Sequence, residues 1–416
     1  MKETGIQWIG AIPDSWRLNK IGQLFNLRNE KVSDKVYAPL SVSRGGVVPQ
    51  MESVAKSDAS DDRKLVLVGD FAINSRSDRK QSCGVSPLDG SVSLINLILY
   101  AKDDNTIYND YMNYLLKNYG FAEEFYRWGH GIVADLWTTR WQEMKSIMLP
   151  LPFVEVQKKL FEYLTEKSAE IDALIEVENK QIEKLKEYKQ AVITEAVTKG
   201  LDKSAPMKDS SVDWIGEIPQ GWSLNRLKFV ASYNDDSLKE DIPSDTEIEY
   251  VDIGSVSLED GITKTERFLF NDAPSRARRI TRLGDIIVST VRTYLKAIAS
   301  IDKDDLIVST GFCVIRPKET MDRRFVEFWC KSNKFTDEVS RNSYGISYPA
   351  INATALMDFW ITMPSLVEQK QIAEYLSIKC SDIDCLLKIK QQKIDELNEY
   401  KKSFIYEYVT GKKEVV

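Results

Sequence analysis

Two stretches of this chain carry apolar residues at alternating steps of three and four, the spacing of one narrow face of an α-helix. The first, residues 155–199, contains neither Pro nor Gly, and Gly200 follows it as a stop signal. The second, residues 368–410, repeats the pattern. Long helices with such narrow apolar faces are unstable alone in water, so we expect the two to pair as a coiled coil. The expected helix-pairing positions are Ile171, Ile175, Ile182, Leu185, Ile383, Leu387, Ile394 and Leu397.

The segments before these stretches show the patterns of short strands, turns and shorter helices. Residues 65–68 and 71–73 predict strands around the turn at Gly69-Asp70, and residues 286–289 and 311–315 predict strands near Gly284-Asp285. Helical spacing occurs in two further segments, residues 108–119 and 323–334. Polar clusters at residues 57–62 and 241–245 indicate loops. Together these features predict two mixed α/β domains.

The chain contains an internal duplication. Residues 8–20 return as residues 214–226 with eight of 13 positions identical, and residues 152–198 return as 364–410 with 19 of 47 identical. The segments between these repeats are much less alike. A duplicated frame with dissimilar inserts suggests two domains of one fold that recognise two different things.

The duplication also predicts the architecture, which we classify as α+β. Because a whole domain separates the two helices, the economical arrangement is a pseudo-twofold one with an antiparallel two-helix coiled coil between the domains. The expected boundaries are residues 1–153 for the first domain, 154–200 for the first spacer helix, 201–363 for a linker and the second domain, and 364–416 for the second spacer helix.

The charge is unevenly distributed. The net charge is −7, yet residues 263–296 contain eight basic and three acidic residues, and residues 63–80 contain five basic and two acidic ones. Local basic faces on an acidic body are typical of a protein that binds DNA at two places while partners supply the rest of the contact.

The motifs of a DNA-modifying enzyme are missing from the sequence. There is no glycine-rich cofactor loop, no phosphate-binding loop and no Asn/Asp-Pro-Pro-aromatic motif. His130 is the only histidine, and the five cysteines form no CxxC pair. The sequence therefore predicts no catalytic residues and no metal site, and we expect Cys380 and Cys385 to be small buried side chains of a helix. The start of the chain lacks a signal-peptide pattern and no long apolar run occurs, so we expect a cytoplasmic protein without a membrane segment.

The repeated motifs resemble the specificity subunits of type I restriction-modification systems. These are the paired Trp-Ile-Gly-x-Ile-Pro-x-x-Trp-x-Leu starts, the Gly-Asp turns, the loops at Gly131-Ile132 and Gly345-Ile346, and the Gln-Lys helices with Glu-Tyr-Leu. The resemblance covers essentially the whole chain, in order and twice. It implies two target recognition domains, each of which reads half of a split, asymmetric sequence in double-stranded DNA.

The same resemblance implies the partners. The helices would dock two modification subunits, which hold S-adenosylmethionine and methylate adenine, and two restriction subunits using ATP and Mg can join. The chain itself would bind no cofactor and catalyse nothing.

Reading DNA requires bidentate donors to base edges and cations to phosphates. A plain surface role is the alternative for each candidate, and the face of a solvated helix is the alternative for the arginines at 276–282. The candidates are Arg76, Arg79, Lys80, Arg127, His130, Arg276, Arg278, Arg279, Arg282, Arg292, Lys296, Tyr344 and Tyr348.

Two other functions are open at this point. A coiled-coil adaptor without DNA specificity would explain the helices and the acidic charge, but not the two basic, dissimilar inserts. A stand-alone nuclease or methyltransferase conflicts with the missing motifs. The repeated Trp8, Trp16, Trp214 and Trp222 are expected to anchor the shared core, since reading residues should differ between copies.

Overall fold

The computed structural model describes residues 1–50, 62–76, 79–131 and 137–415. Ile132 and all but the last residue of the expected 57–62 loop lie outside these ranges. The chain forms two compact units: Met1–Asn179 with Gln392–Val416, and Lys180–Gln391. Within the described ranges, no helix combines the length and the apolar character needed to cross a membrane.

The first unit contains two main sheets. The strand order is Cys83–Val85, Phe71–Asn74, Asn96–Ala101, Phe25–Arg28 in the four-stranded sheet and Gly90–Val92, Arg63–Val66, Lys31–Val32 in the three-stranded one. Two-stranded pairs join Leu40–Ser43 to Gly46–Pro49, Arg17–Lys20 to Met148–Leu151, and Lys2–Glu3 to Ala11–Ile12. Its short α-helices are Ile21–Leu24, Met112–Leu115, Tyr119–Arg127 and Trp141–Met144, and a 3₁₀ turn spans Asn109–Tyr111.

The second unit has the same four-stranded sheet. Its strand order is Ile298–Ser300, Ile286–Ser289, Phe312–Pro317, Ala231–Tyr233, and the second sheet runs Glu266–Leu269, Glu247–Val251, Ile307–Ser309, Ala277–Ile280. Smaller pairs join Ser223–Arg226 to Trp360–Met363, Met207–Asp209 to Glu217–Pro219, and Val256–Ser257 to Gly261–Ile262. Its short α-helices are Leu227–Val230, Arg323–Lys331, Asn333–Arg341 and Ala353–Met357, with 3₁₀ turns at Ile253–Ser255, Phe270–Asp272 and Thr293–Leu295.

The repeated tryptophans belong to the core of each unit, as expected. Trp8 and Trp16 are buried in the first unit with residues of both long helices, and Trp222 is buried in the second unit. Trp214 is partly buried and packs against the same cluster as Trp222. Their large apolar rings therefore anchor the sheets to the helices.

The two long helices span Val154–Lys199 and Leu366–Val409, within two residues of the ends of the apolar stretches 155–199 and 368–410. The second helix ends seven residues before the boundary expected at residue 416. The first ends before Gly200, whose φ of +76° is the left-handed conformation common after a helix C-terminus. Along both helices the expected pairing positions point inward. Ile171, Ile182, Ile383 and Ile394 are buried, and Ile175, Leu185, Leu387 and Leu397 are half-buried.

The helices pack together as an antiparallel pair in each unit. In the first unit, Lys401 donates to Asp172 at 2.7 Å and Lys393 to Glu178 at 2.6 Å. In the second unit, Lys189 donates to Asp384 at 2.6 Å. The partner number falls as the helix number rises, which is the register of an antiparallel pair, and the expected coiled-coil pairing is confirmed.

The repeated Ile-Asp and Glu-Tyr-Lys motifs explain this register. Asp172 and Asp384 end the two Ile-Asp motifs, and Lys401 and Lys189 end the two Glu-Tyr-Lys motifs. Each aspartate pairs with the lysine of the other copy. Because each copy carries both an aspartate and a lysine at these positions, one repeated sequence supplies both partners of each ion pair.

The repeated glutamine near the start of each long helix is buried and hydrogen-bonds two backbone segments. Gln157 accepts from the backbone N–H of Tyr108 at 2.9 Å and donates to Pro152 at 2.9 Å. Gln369 accepts from the N–H of Asp322 at 2.9 Å and donates to Pro364 at 3.0 Å. Both side-chain amides satisfy backbone groups that would otherwise be buried without partners.

Two expected single helices are interrupted. Residues 108–119 form a 3₁₀ turn and one short helix, and Asn118 then caps a new helix by accepting from the N–H of Phe121. Residues 323–334 break at Ser332, which caps Asn333–Arg341 by accepting from the N–H of Phe335. The apolar spacing continues through both breaks, but a side chain that bonds the next turn ends the helix.

The expectation that Cys380 and Cys385 are both buried in a helix was wrong for one of them. Cys380 is buried, whereas Cys385 is exposed. Five residues along a helix correspond to a rotation of about 140°, so the two side chains cannot share one face.

Candidate nucleic-acid interface

Each Gly-Asp turn contains a buried carboxylate that accepts hydrogen bonds from an arginine. Asp285 accepts from Arg316 at 2.7 and 2.9 Å and from the backbone N–H three residues before it. Asp70 accepts from Arg28 at 2.6 and 3.0 Å and from the equivalent N–H. The hydrogen bonds from Arg316 to Asp285 raise the pKa of that guanidinium. The repeated aspartate therefore fixes the turn and the following strand.

The strand after this turn in the second unit leads to the first of two loops that contact each other. Residues 290–296 and 343–351 form what we call the second loop pair. Ala350 makes backbone bridges to Val291 and to Tyr344, and Thr293 bonds to Ser343 through their hydroxyls at 2.7 Å. These bonds hold together two segments that lie about fifty residues apart in sequence.

The second loop pair presents large exposed side chains. Tyr344 is 83% exposed and Ile346 is fully exposed at 103%. Tyr294, Leu295 and Tyr348 are also exposed. Scattered exposed apolar residues are ordinary on a protein surface, but several on one small loop pair indicate a contact surface.

The two predicted cations of this loop pair differ in their partners. The guanidinium of Arg292 lies over the ring of Tyr348, 5.0 Å from its centroid. Lys296 donates to Asp337 at 3.3 Å. Arg292 is exposed and Lys296 is half-buried.

Arg278 and Arg279 lie on a strand, with Arg276 directly before it and Arg282 after it, so the helix alternative was wrong. The strand Ala277–Ile280 pairs with Ile307–Ser309, with a register shift at its start. Arg278 lies over the ring of Phe270 at 5.0 Å, and Arg282 donates to Asp236 at 2.8 Å.

The two remaining arginines of this group have contrasting surroundings. Arg276 is exposed. Arg279 is half-buried, its Nε has no hydrogen-bond partner within the described ranges, and burial lowers its pKa. The dense arginine group of the sequence therefore does not form one continuous cationic face.

The first unit joins its loops in the same way. The described residues 74–76, 79–81, 127–131 and 137–139 form what we call the first loop pair. Thr138 makes backbone bridges to Arg76 and to His130, and the N–H of Thr139 donates to the carbonyl of Ser75 at 3.0 Å. This is the bridging pattern of the second loop pair.

The side chains of the first loop pair differ from those of the second. Lys80 donates to Glu123 at 3.0 Å and lies over the ring of Tyr126, 4.2 Å from its centroid. Arg127 pairs with Glu124 and donates to Gln7 at 3.2 Å. The predicted residues Arg76, Arg79 and His130 are exposed.

The structure thus brings Arg76, Arg79, Lys80, Arg127 and His130 to one loop pair and Arg292, Lys296, Tyr344 and Tyr348 to the other. The predicted candidates do not include Tyr294 and Ile346, because the sequence alone does not show which apolar and aromatic residues are exposed. They also do not include Gln157, Gln369, Asp70 or Asp285. Their recurrence in both copies was the available signal.

Comparisons with known proteins agree with this architecture. Residues 276–399 match the family model of the type I restriction modification DNA specificity domain. The MjaVIII specificity subunit of Methanocaldococcus jannaschii is 28% identical over 276 residues, which cover 64% of this chain and 62% of that protein, less than two thirds of its length. The putative MjaX specificity subunit of the same organism is 25% identical over 428 residues, covering 97% of this chain and 95% of that one.

Solved structures share the fold. A chain from a study of complex assembly and conformational transition of the type I R-M system matches with a TM-score of 0.71 at 14% identity, covering 96% of this chain and 98% of that chain. The HsdS subunit from Thermoanaerobacter tengcongensis matches with a TM-score of 0.53 at 16% identity, covering 99% and 100%.

The fold is therefore shared with solved chains of type I restriction-modification systems. The resemblance indicated by the repeated motifs is confirmed: residues 276–399 match the DNA specificity domain, and the chain is similar to type I specificity subunits.

Proposed function

We propose that this chain reads a bipartite, asymmetric DNA sequence for a type I restriction-modification complex, one half-site with each loop pair. The observation that carries the proposal is the recurrence of one bridging pattern with different side chains. Thr138 and Ala350 close equivalent loops, yet one loop pair displays Lys80 and Arg127 while the other displays Arg292 and exposed aromatic rings. A shared frame with unlike contact groups is what two different half-sites require.

The chemistry of the loop pairs fits duplex DNA. Guanidinium groups can bind guanine edges or phosphates, and apolar groups such as Ile346 can contact thymine methyl groups. The acidic charge of the whole chain limits non-specific attraction to phosphates, so tight binding is expected to need partners.

The partners that we propose are two modification subunits, docked on the long helices, with two restriction subunits able to join. Each helix presents an exposed apolar pair at the same place in its repeat: Leu174 and Val177 in the first helix, Leu386 and Ile389 in the second. Equivalent apolar pairs suit two copies of one partner. In this proposal S-adenosylmethionine, ATP and Mg belong to the partners, and the chain acts in the cytoplasm where that complex modifies DNA.

The test is selection from a pool of random duplexes with the full chain, alone and together with its modification subunits, at a stated salt concentration. We expect enrichment of two short conserved blocks separated by a fixed spacer, with stronger enrichment in the presence of the partners. An adaptor that only joins proteins would enrich no sequence.

An exchange experiment tests the assignment of half-sites. Replacing residues 21–150 by the equivalent part of another specificity subunit should change one block and leave the other, and the spacer, as they were. Loss of both blocks by a folded chimaera would contradict the modular assignment. A matched exchange of the segment between residues 226 and 364 should change the other block and leave the first one as it was.

The docking part of the proposal has a separate test. The double variants Leu174→Glu with Val177→Glu, and Leu386→Glu with Ile389→Glu, should each reduce the number of bound modification subunits from two to one. Mass measurement of the complex gives the stoichiometry. Two bound subunits in both variants would contradict docking through these residues.

A further inference from the structure

Arg292 has an unusual backbone conformation. Its φ is +50° and that of Lys296 is +48°, so two residues with side chains lie in the left-handed region on either side of one 3₁₀ turn, Thr293–Leu295. This region is unfavourable for any residue with a Cβ atom. Such conformations persist only where the surrounding structure holds them, and they cluster at functional sites. Here the bridge from Val291 to Ala350 and the bond from Thr293 to Ser343 hold the turn.

The guanidinium of Arg292 is oriented but not neutralised. Its face rests on the ring of Tyr348 at 5.0 Å, and within the described ranges it has no carboxylate partner. The neighbouring cations differ, because Lys296 is paired with Asp337 and Arg282 with Asp236. Arg292 can therefore contact DNA without first breaking an ion pair.

Stacking on an aromatic ring leaves the N–H groups at the edge of the guanidinium plane free. That edge is the part of arginine that bonds N7 and O6 of guanine in the major groove as a bidentate donor. Exposed Tyr344 and Ile346 lie on the other loop of the second loop pair, residues 343–351. Apolar and aromatic groups gain little from phosphates and more from base edges and methyl groups, which favours a base contact at this place.

We propose that Arg292 reads one guanine of the half-site recognised by the second loop pair, and that Tyr348 is the positioning residue that holds its guanidinium plane. This inference rests on the proposed function and extends it to one base.

The experiment compares duplex selections by the full chain carrying Arg292→Ala, Arg292→Lys, Tyr348→Ala or Tyr348→Phe with the unaltered chain, each with its modification subunits. In Arg292→Ala we expect one guanine to lose its preference while all other positions keep theirs. Binding to duplexes with and without that guanine should then differ by less than twofold, compared with roughly 5- to 150-fold for the unaltered chain. Arg292→Lys should retain only part of the preference, since lysine lacks the planar fork.

Tyr348→Ala should weaken the preference for the same guanine, and Tyr348→Phe, which keeps the ring, should restore it. Rescue by phenylalanine distinguishes positioning by stacking from a base contact of the tyrosine hydroxyl. Arg267→Ala, which removes another exposed arginine of the same unit, is the control for charge and should leave every base preference unchanged.

Three results would overturn the inference. The first is that Arg292→Ala binds all sequences more weakly to an equal degree and with a shallower salt dependence, which indicates a phosphate contact. The second is an unchanged guanine preference in Arg292→Ala. The third is that Arg292→Ala loses base preference at several positions. Failure of the unaltered chain to enrich any sequence would instead overturn the proposed function, so the two failures can be told apart.

Discussion

The buried aspartates of the two units, Asp70 and Asp285, each bind an arginine, but the arginine comes from a different strand in each unit. In the first unit Arg28 comes from the edge strand Phe25–Arg28 and also lies over Tyr100, 4.7 Å from the ring centroid. In the second unit Arg316 comes from the neighbouring strand Phe312–Pro317 and also binds Asp235 and Asp236. The difference shows that the fold requires a cation for the buried carboxylate and accepts it from either strand.

The largest expected effect separates these two arrangements. Asp70→Ala leaves Arg28 without its carboxylate, whereas Asp285→Ala leaves Arg316 with two others. We expect Asp70→Ala to lower the free energy of unfolding of the first unit by about 3–5 kcal/mol and Asp285→Ala to cost less in the second. Calorimetric unfolding measures both, with the exposed Asp104→Ala and Asp302→Ala as controls. An equal or larger loss in Asp285→Ala would mean that the additional carboxylates do not compensate.

The glycines before these aspartates give the next effect. Gly69 and Gly284 have φ values of +87° and +83°, so alanine at either position should cost about 1–2 kcal/mol. A Cβ on Gly284 would also come within 2.6 Å of the Arg323 side chain, compared with 3.3 Å from Asn109 for Gly69. Gly284→Ala should therefore lower the unfolding temperature more than Gly69→Ala. Gly221→Ala, where a Cβ meets nothing, should have little effect, and a reversed order would contradict the steric argument.

The cross-copy ion pairs should have a smaller effect. Asp172→Lys or Lys401→Asp alone should destabilise the helix pair by about 0.2–1 kcal/mol, because the carboxylate of Asp172 is exposed to solvent. The double reversal should recover most of the loss, and the same cycle on Lys189 and Asp384 should give a similar coupling. Thermal unfolding at low and high salt measures the coupling. Failure of both double variants to recover would show that these pairs do not set the register.

The smallest expected effect is a dependence of stability on pH that comes from Asp236 in the second unit. The hydrogen bond from Arg316 holds the pKa of Asp236 below its ordinary value. The stabilisation is therefore fully present above the pKa of the unfolded chain, about 3.9, and is lost as the pH falls through the lower folded value. Asp236→Asn should have a lower free energy of unfolding than the unaltered chain at pH 6, and this difference should disappear in acid. A difference in the free energy of unfolding that persists unchanged at pH 2 would show that it does not come from the ionised carboxylate of Asp236.

The features most accurately predicted from the sequence are those encoded locally and written twice. The first long helix was predicted within two residues, because residues 155–199 contain neither proline nor glycine and have a continuous apolar face. The strands predicted at 71–73 and 286–289 are confirmed, because the Gly-Asp pairs before them mark where the apolar runs begin. The strand predicted at 65–68 lies two residues earlier, at Arg63–Val66. The breaks at Asn118 and Ser332 were missed, since a capping residue resembles any polar residue in a helical pattern.

The arrangement of the candidate interface could be predicted only in part. The sequence indicated Arg292 and Tyr348, but their contact depends on the bridge through Ala350 between segments far apart in the chain. The arginines at 276–282 looked like one group, and only the folded strand shows that Arg278 and Arg282 have separate partners.

The distribution of cysteines has a practical consequence. Burial raises the pKa of the Cys83 and Cys313 thiols to about 12 and also raises the pKa of Cys330 and Cys380, so these thiols stay protonated and shielded at neutral pH. Cys385 is exposed on the second long helix. A maleimide dye should therefore attach at this one position of the native chain, which provides a fluorescent reporter beside Leu386 without any engineering.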